Sequence, residues 1–406
     1  MRWIPVVLCS VLASVASAGT LRVPKDFPTI QDAVDAANPG DRIRIANGVY
    51  VENVVVPVGK DGLVIEGSGK TILDARPLGG PGSGPGLASS SDGTVIRRLT
   101  VRHAKGAPGV GVVVFAHDAH IDRVTTIHCE DYGIQVFGDR TRIERCSVIT
   151  SSVGIAVTGN DALLRKNSTR STVNAGIYSV GNDNRIESCS IRRSDFDGIL
   201  AAGLDPFVTK CVVDGARHIG IVATGIGAPR ITNNTILAIA EGAAIEVAGA
   251  TSGLVSGNRV RDVAAEGIHL VPGVSAVQVR KNRVERAGFA GFRIAGTGNT
   301  LEGNLVRACA GDGFRVSGGF NLLAKNRALG NGEDGIDIVI GANTVNANTV
   351  LDNGAEGLDN SGAASLFLGN RVLRNRFDIA NNGAGATFDG NTFKTGGPAF
   401  LPQIDS

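Results

Sequence analysis

The sequence predicts an all-β protein with a single domain built as a parallel β-solenoid. A short pattern recurs: an apolar residue, Asn or Cys three positions later, an apolar residue two further on, and a Gly-apolar pair about seven beyond that. In successive repeats the Asn-or-Cys position is occupied by Leu99, Val124, Cys146, Asn167, Cys189, Cys211, Asn234, Asn258, Asn282, Asn304, Asn326, Asn348, Asn370 and Asn391. A glycine column keeps the same period of 21 to 25 residues: Gly133, Gly154, Gly176, Gly198, Gly220, Gly242, Gly267, Gly291, Gly313, Gly335 and Gly357. A fixed short period is typical of a solenoid, in which each repeat contacts only its neighbours.

The spacing within one repeat predicts short strands separated by corners. In the segment 335–338 the apolar residues alternate, as in a strand with one buried face. The offset from Leu323 to Asn326 is odd, so the alternation must break there. We expect the asparagine to take the left-handed backbone conformation of a tight corner and to hydrogen-bond the next asparagine of the stack. The glycine before the next strand predicts a second corner.

With these features the sequence resembles the right-handed parallel β-helix superfamily typified by pectate lyases, whose asparagine ladder occupies such a corner. The resemblance covers nearly the whole mature chain and implies a right-handed coil.

The segment Gly48-Val49-Tyr50-Val51-Glu52 also matches the first motif of pectin methylesterases. The later Asp-bearing catalytic motifs of that family have no counterpart in this sequence, so the match predicts an N-terminal cap rather than an esterase.

Four segments are expected along the chain. Residues 1–18 contain an Arg, an apolar run and Ala16-Ser17-Ala18, which is typical of a signal peptide and predicts export, either secreted or periplasmic. Residues 19–93 are expected to form an N-terminal cap with a helix after Thr29 and the first irregular coils, including a flexible Gly- and Pro-rich excursion over 74–93. Residues 94–393 carry the regular repeats, and 394–406 form a tail.

Composition restricts the function classes. The chain has 40 basic and 38 acidic residues, a net charge of +2, which argues against nucleic acid or a membrane surface as the partner. No run after the signal peptide is long and apolar enough to span a bilayer, and we expect a monomer. Five cysteines remain after cleavage, and their stacking inside the coil predicts buried thiols rather than a disulfide framework.

A line of ionisable residues is expected on the outside of the glycine-led strands. It comprises Glu246, His269, Arg293, Arg315, Asp337 and Asp359. Six rungs at about 4.8 Å each would make a line roughly 24 Å long. The acidic residues directly before the glycine column are interpreted as corner residues: Asp197, Glu241, Glu266, Asp312, Asp334 and Glu356.

In the superfamily that the sequence resembles, substrate lies along one such outer sheet. The resemblance therefore implies an acidic polysaccharide as partner and, if the protein is an enzyme, a polysaccharide lyase or uronate epimerase. His269 would be the base, Arg293 and Arg315 would hold the uronate carboxylate, and Glu246 and Asp359 would bind substrate. Asp337 would join this catalytic group, and with Asp359 it offers the oxygen ligands that Ca²⁺ prefers. Mannuronan epimerases carry an Asp-Pro-His-Asp motif on a similar strand, but Ile338 and Val339 stand where Pro and His would be.

A second candidate site is a set of histidines within about one coil: His103, His117, His120 and His128. Imidazole suits Zn²⁺ and Cu²⁺, so this set raises an alternative function as a periplasmic metal-accessory protein similar to the NosD type. A third alternative is a non-catalytic β-helix in which the outward line is only a solvated surface with weak ion pairs. The fold alone does not decide among these classes.

Overall fold

The structure is a computed structural model that describes residues 18–76 and 84–394. Within these residues the chain forms one parallel β-solenoid of about 16 turns. Each full turn, or coil, contributes one short strand to each of three rows, which we name A, B and C. Rows A and B belong to one 30-stranded sheet and row C is a separate 15-stranded sheet. The all-β prediction is confirmed, and the predicted signal peptide lies almost entirely outside the described residues.

The strands of the three rows follow one another in the order A, B, C along the chain. Row A contains Thr20–Val23, Arg42–Ile45, Val64–Asp74, Val95–Arg102, His120–Asp122, Arg142–Glu144, Leu163–Arg165, Arg185–Glu187, Phe207–Thr209, Arg230–Thr232, Gly253–Ser256, Val277–Arg280, Thr300–Glu302, Leu322–Ala324, Thr344–Asn346, Leu366–Leu368 and Thr387–Asp389. Row B contains Gly48–Tyr50, Thr125–Ile127, Ser147–Ser151, Ser168–Thr172, Ser190–Ser194, Val212–Ala216, Thr235–Ile239, Arg259–Val263, Arg283–Ala287, Leu305–Arg307, Arg327–Leu329, Thr349–Leu351 and Arg371–Leu373. Row C contains Val54–Val56, Leu87–Ser89, Val110–Val114, Tyr132–Phe137, Val153–Thr158, Ala175–Val180, Asp197–Ala202, Ile221–Thr224, Ile245–Ala248, Ile268–Leu270, Phe292–Ile294, Phe314–Val316, Ile336–Ile338, Glu356–Asn360 and Phe377–Asn381. The long strands Val64–Asp74 and Val95–Arg102 continue from row A into row B.

A ladder of buried asparagines runs along the corner between rows A and B. The side-chain oxygen of Asn326 accepts hydrogen bonds from the backbone N–H and the side-chain amide of Asn304, at 2.9 and 3.0 Å. The same geometry continues from Asn234 to Asn391. The left-handed residue, however, is the one before each asparagine, such as Lys325 with φ 56°. The expectation that asparagine itself takes this conformation was wrong, because its side chain must point inward to reach the ladder.

Two further asparagine ladders occur that the sequence pattern did not predict. One joins Asn299 to Asn321, and the backbone N–H of Asn321 donates in turn to Asn343. The other joins Asn331, Asn353 and Asn375 at the corner before row C. Each ladder satisfies buried backbone groups that a corner leaves without a sheet partner.

The glycine column before row C is required by close packing. Gly335 is not in the left-handed region, but a Cβ added to it would lie 2.1 Å from Val350 Cγ1 and 2.7 Å from the carbonyl oxygen of Gly357. In the longer coil after Ile231, the position of the glycine column is occupied by Ala244 rather than Gly242. The backbone N–H of Ala244 donates to Glu266 O, and its carbonyl accepts from Ile221 N–H. The corner was predicted correctly from the glycine column. The reason that glycine is needed there is steric exclusion of a Cβ, not a left-handed backbone conformation.

The N-terminal end is covered by the helix Ile30–Ala36. Thr29 accepts from Asp32 N–H as the N-cap, as predicted. The two carboxylate oxygens of Glu52 accept from the backbone N–H groups of Ile30 and Gln31, both at 2.9 Å. The pectin methylesterase-like motif therefore has a structural role here, because its Glu satisfies helix N–H groups that lack intrahelical partners.

Parallel pairing begins earlier than the sequence repeat. The strand Thr20–Val23 already pairs with Arg42–Ile45, although the regular period is visible only from about residue 94. The expected excursion over 74–93 is shorter than predicted, because Leu87–Ser89 is a row C strand. Residues 77–83 of it lie outside the described residues. No helix in 18–76 or 84–394 has the length and apolar character needed to cross a bilayer.

Candidate functional site

The structure places the six predicted ionisable residues on consecutive coils of row C in direct register. The Cα partners along this line, which we name the row C line, are Glu246–His269, His269–Arg293, Arg293–Arg315, Arg315–Asp337 and Asp337–Asp359. Side chains at directly paired positions of adjacent strands lie on the same face of the sheet. The line is therefore continuous on the outside of the solenoid.

Glu246 and His269 form a pair at the N-terminal end of the line. His269 Nδ1 lies 3.3 Å from Glu246 Oε2, and only 16% of the His269 side chain is exposed. The hydrogen bond from His269 lowers the pKa of Glu246, so the carboxylate stays ionised. The contact uses Nδ1 of His269, so Nε2 is the ring nitrogen that Glu246 does not engage.

The two arginines of the line are each held by carboxylates yet remain half exposed. Arg293 Nη1 lies 2.9 Å from Glu266 Oε1. Arg315 Nη1 lies 3.3 Å from Asp312 Oδ2 and 3.4 Å from Asp337 Oδ2. Each guanidinium therefore keeps N–H donors for a ligand, since it carries five in a planar fork.

Carboxylates crowd together at the C-terminal end of the line. One oxygen each of Asp334, Asp337 and Asp359 lie within 4.8 Å of one another, the one set of three or more metal-type ligands found among the described residues. Burial, reinforced by neighbouring carboxylates, raises the pKa of Asp334 to about 8 and that of Asp337 to about 7. Burial likewise raises the pKa values of Asp312 and Asp359. This group of four is named the aspartate cluster.

Sequence reasoning missed the participation of Asp312 and Asp334. Both are corner residues as predicted, because Oδ1 of Asp312 accepts from Asp334 N–H at 3.0 Å and Oδ1 of Asp334 accepts from Glu356 N–H at 2.8 Å. The same corner directs their carboxylates toward the outward aspartates of row C. The available signal was an acidic residue three positions before an outward Asp, as in Asp334 and Asp337.

The aspartate cluster fits a hard divalent cation. Carboxylate oxygens are the ligands that Ca²⁺ prefers, and three from separate side chains already converge. A cation would also relieve the mutual repulsion that contributes to the raised pKa values of Asp334 and Asp337. Asp334, Asp337 and Asp359 are therefore the residues that would hold Ca²⁺.

A groove runs beside the line on the side of the corner that precedes row C. Phe289 lies in its wall with 62% of its surface exposed. The remaining polar lining comes from Glu266, Arg293, Asp312, Arg315 and Glu333. The groove thus combines an apolar ring face with charged groups of both signs, which suits a ligand that has apolar and charged parts.

The structure does not bring the four predicted histidines into one metal-ligand set. The rings of His103 and His128 are stacked on neighbouring coils with centroids 6.1 Å apart. The other contacts go to separate carboxylates: His103 to Asp74 at 3.0 Å, His117 to Asp139 at 3.4 Å and His120 to Glu144 at 3.3 Å. Three of the four rings therefore each contact a different carboxylate, and the described residues show no shared ligand set of these histidines for Zn²⁺ or Cu²⁺.

Comparison with known families agrees with this architecture. The family described as "Right handed beta helix region" matches residues 153–306 and 243–393. Together these matches span 153–393, which is more than half of the 406 residues. The chain belongs to this family of right-handed β-helix proteins.

Solved structures with the same fold include enzymes and viral proteins. A PL6 family polysaccharide lyase from Pseudopedobacter saltans matches with a TM-score of 0.54 and 13% identity over 72% of this chain and 85% of that one. Tailspike protein 3 of bacteriophage CBA120 matches with a TM-score of 0.50 and 12% identity, over 76% of this chain and 57% of that one. At such identities these likenesses show the fold alone.

A curated relative is a probable pectinesterase/pectinesterase inhibitor from Arabidopsis thaliana. It is 34% identical over 121 residues, which cover 27% of this chain. The match spans one fifth of the length of that relative.

Proposed function

We propose that this protein is an exported β-helix that binds an acidic polysaccharide along the row C line and processes it at a uronate residue. The observation that carries the proposal is the direct register of the six ionisable residues on consecutive coils. This register places the six side chains in a line, which matches the shape of an extended polysaccharide chain. The polysaccharide lyase among the structures of the same fold supports this choice of substrate class.

In the proposed reaction, Arg293 and Arg315 hold the uronate carboxylate through charge-assisted hydrogen bonds. This contact stabilises the charge that develops when the adjacent C–H bond breaks. Nε2 of neutral His269 accepts that proton, while Glu246 orients the ring and stabilises the imidazolium. The C–H electron pair then either expels the glycosidic oxygen, which takes a proton from water and leaves an unsaturated sugar, or takes a proton from water on the opposite face, which gives the epimer.

A cation is expected to be needed for a polyanionic ligand. Around the arginines and the aspartate cluster, the carboxylates outnumber the two guanidinium groups: Glu266, Asp312, Glu333, Asp334, Asp337, Glu356 and Asp359. A bound Ca²⁺ would supply positive charge for the uronates. Asp334, Asp337 and Asp359 would hold it and fix the position of the chain beside the arginines.

The raised pKa of Asp334 favours glycosidic hydrolysis as a second candidate function. A carboxyl group with a pKa of about 8 is mostly protonated at neutral pH and can donate its proton to a glycosidic oxygen. The oxygens of Asp334 and Asp359 lie within 4.8 Å of each other, which is nearer the spacing of a retaining pair than that of an inverting pair. Asp359 in its ionised form would attack the sugar carbon as the glycosidic oxygen leaves, and water, with Asp334 then acting as the base, would hydrolyse the covalent intermediate. This pair of roles needs no uronate and would apply to an uncharged glycan.

The test is incubation of the mature protein with pectate, alginate and glycosaminoglycans, with Ca²⁺ or with a chelator. Ultraviolet absorbance reports unsaturated product, new reducing ends without absorbance report hydrolysis, and ¹H NMR of the uronate reports epimerisation. We expect product with one polymer, its loss in His269→Ala, and full activity in His117→Ala, which alters an exposed histidine outside the site. Product unaffected by His269→Ala would refute the assigned base, and the absence of both product and binding would refute the proposed function.

A further inference from the structure

An exposed aromatic stack stands at the same corner of the solenoid, toward its N-terminal end. Phe196 is 49% exposed, and its ring lies on that of His218 with centroids 4.4 Å apart and an angle of 14° between the planes. The two residues occupy the corner before row C on adjacent coils, where His218 N–H donates to the carbonyl of Phe196. Neither ring belongs to the row C line.

A buried carboxylate fixes the orientation of this stack. His218 Nδ1 lies 2.8 Å from Asp197 Oδ1, which also accepts from Ile219 N–H at 3.1 Å. The Asp197 side chain is only 6% exposed, and that of His218 is 41% exposed. Since Asp197 is an acceptor, Nδ1 carries the proton, and Nε2 is left to bond a ligand. A flat surface held in place in this way loses little conformational entropy when it binds.

The outward row C residues beside the stack are uncharged, unlike those beside the arginines. The outward residues of the adjacent row C strands are Tyr178, Leu200 and Val222. The nearby Arg217 is already paired with Glu241 at 2.7 Å. The Arg217–Glu241 pair adds no net charge to the corner, and the apolar floor favours a ring without charge.

The stack and the groove lie along one path. Phe289 occupies the equivalent corner four row C strands further on, which corresponds to about 19 Å at 4.8 Å per strand. Glu246 and His269 lie on the coils between the two aromatic positions. A chain held at Arg293 would reach Phe196 if it continued along the outer face of row C.

We propose that Phe196 and His218 form a stacking subsite for an uncharged sugar ring of the same chain whose uronate lies at Arg293 and Arg315. This inference rests on the proposed function and narrows its substrate class. The ligand is a heteropolysaccharide that contains both uncharged sugar rings and uronates, either in strict alternation or with uncharged rings placed between uronates. The ring face packs on Phe196, and a hydroxyl donates to His218 Nε2.

The experiment is calorimetric titration of the mature protein with trisaccharides and octasaccharides prepared from hyaluronan, in which uronate and uncharged rings alternate, and from pectate. Only the octasaccharides are long enough to span both positions. We expect Phe196→Ala to weaken binding of the hyaluronan octasaccharide roughly three- to ten-fold and to leave its trisaccharide unchanged. Phe320→Ala is the matched control, since that phenylalanine is 76% exposed at a different corner.

The outcomes separate the two proposals. If the octasaccharides bind and Phe196→Ala and His218→Ala equal the wild type, the subsite is refuted while the proposed function stands. If the pectate octasaccharide binds as tightly as the hyaluronan octasaccharide and is weakened equally by Phe196→Ala, the preference for an uncharged ring is refuted. If no oligosaccharide binds the wild type, both proposals fail. Retained affinity for the trisaccharide in Phe196→Ala would show that the variant is folded.

Discussion

A single ladder asparagine satisfies several buried groups at once. Asn326 Nδ2 donates to the carbonyl of Leu301 at 2.9 Å and to Asn348 Oδ1 at 3.1 Å, and its own oxygen accepts twice from Asn304. The residue is 1% exposed, so no water replaces these partners. At this scale the fold depends on buried polar groups that pair across coils.

Asn326→Ala is expected to lower the free energy of unfolding by about 2–4 kcal/mol, because it leaves buried donors and acceptors unpaired. The measurement is denaturant unfolding followed by circular dichroism. Asn346→Ala is the control, since that side chain points outward between Val345 and Ala347, and we expect a change below about 0.5 kcal/mol. Equal effects of the two substitutions would contradict the role assigned to the ladder.

The raised pKa values in the aspartate cluster predict a pH dependence of stability. The pKa of Asp334 in the folded state is about 8, well above its ordinary value of about 3.9, so the folded protein binds more protons between these values. Stability should therefore fall as pH rises from about 4 to 8. We expect Asp334→Asn to flatten the profile and raise Tm at pH 8, whereas Asp183→Asn, at an exposed position, should follow the wild type. A wild-type Tm that rises over this range would contradict the assignment.

Calcium should reverse this loss of stability at high pH. Because Asp334, Asp337 and Asp359 offer converging oxygens, Ca²⁺ bound to the folded state is expected to raise stability by about 2.7 kcal/mol at a hundred-fold excess over Kd. Tm would be measured at pH 8 with Ca²⁺ and with a chelator. The same shift in Asp359→Asn as in the wild type would place the cation elsewhere.

At the scale of elements, row C is defined by how closely each coil approaches the next. Gly313, Gly335 and Gly357 all lack room for a Cβ, because side chains and carbonyl oxygens of neighbouring coils lie within 3 Å of that position. This close approach sets the corner from which the aspartates of the cluster project. The packing of the corner and the geometry of the candidate site are therefore coupled.

Gly335→Ala is expected to destabilise the protein by about 1–3 kcal/mol, because the added methyl overlaps Val350 and the backbone of Gly357. Thermal unfolding would report the loss, and Ca²⁺ affinity would report displacement of Asp337. Gly319→Ala serves as the control, because its nearest contact is the Gly341 carbonyl at 3.2 Å. A smaller effect at Gly335 than at Gly319 would argue against steric selection of this glycine.

At the scale of the whole molecule, the outer face of row C changes character along the solenoid axis. Its N-terminal half carries uncharged outward residues, including Tyr178, Leu200 and Val222, and its C-terminal half carries the row C line. Each coil contacts mainly the coils before and after it, so stability is close to a sum of coils and their interfaces. The molecule can therefore be shortened or lengthened by whole coils.

Deletion of residues 305–326 removes one coil and joins Asn304 to Arg327, which already occupies the position paired with Leu305. We expect the shortened protein to fold, with an unchanged β-type circular dichroism spectrum and a lower Tm, and to lose glycan processing together with Arg315. Deletion of 305–315 removes half a coil and should prevent folding, because it places Val316, the last residue of a row C strand, and the turn after it at the positions of the row B strand Leu305–Arg307. Equal solubility and cooperativity of the two deletions would contradict the coil-wise assembly.

The repeat in the sequence determined the solenoid, the position of the ladder from Asn234 to Asn391 and the composition of the row C line. These could be predicted because a period near 22 residues places equivalent positions of successive coils in register, whatever the shape of the coil. The helix after Thr29 could be predicted from local capping chemistry.

Only the tertiary structure decided how the corners turn and which side chains meet. It placed the left-handed conformation on Lys325 rather than Asn326, and it brought Asp312 and Asp334 to the outward aspartates. It also gave His103, His117 and His120 different carboxylate neighbours. The physical reason is that a sequence period specifies which residues stack along the axis, whereas contacts around a corner depend on backbone dihedral angles and side-chain directions that the period does not contain.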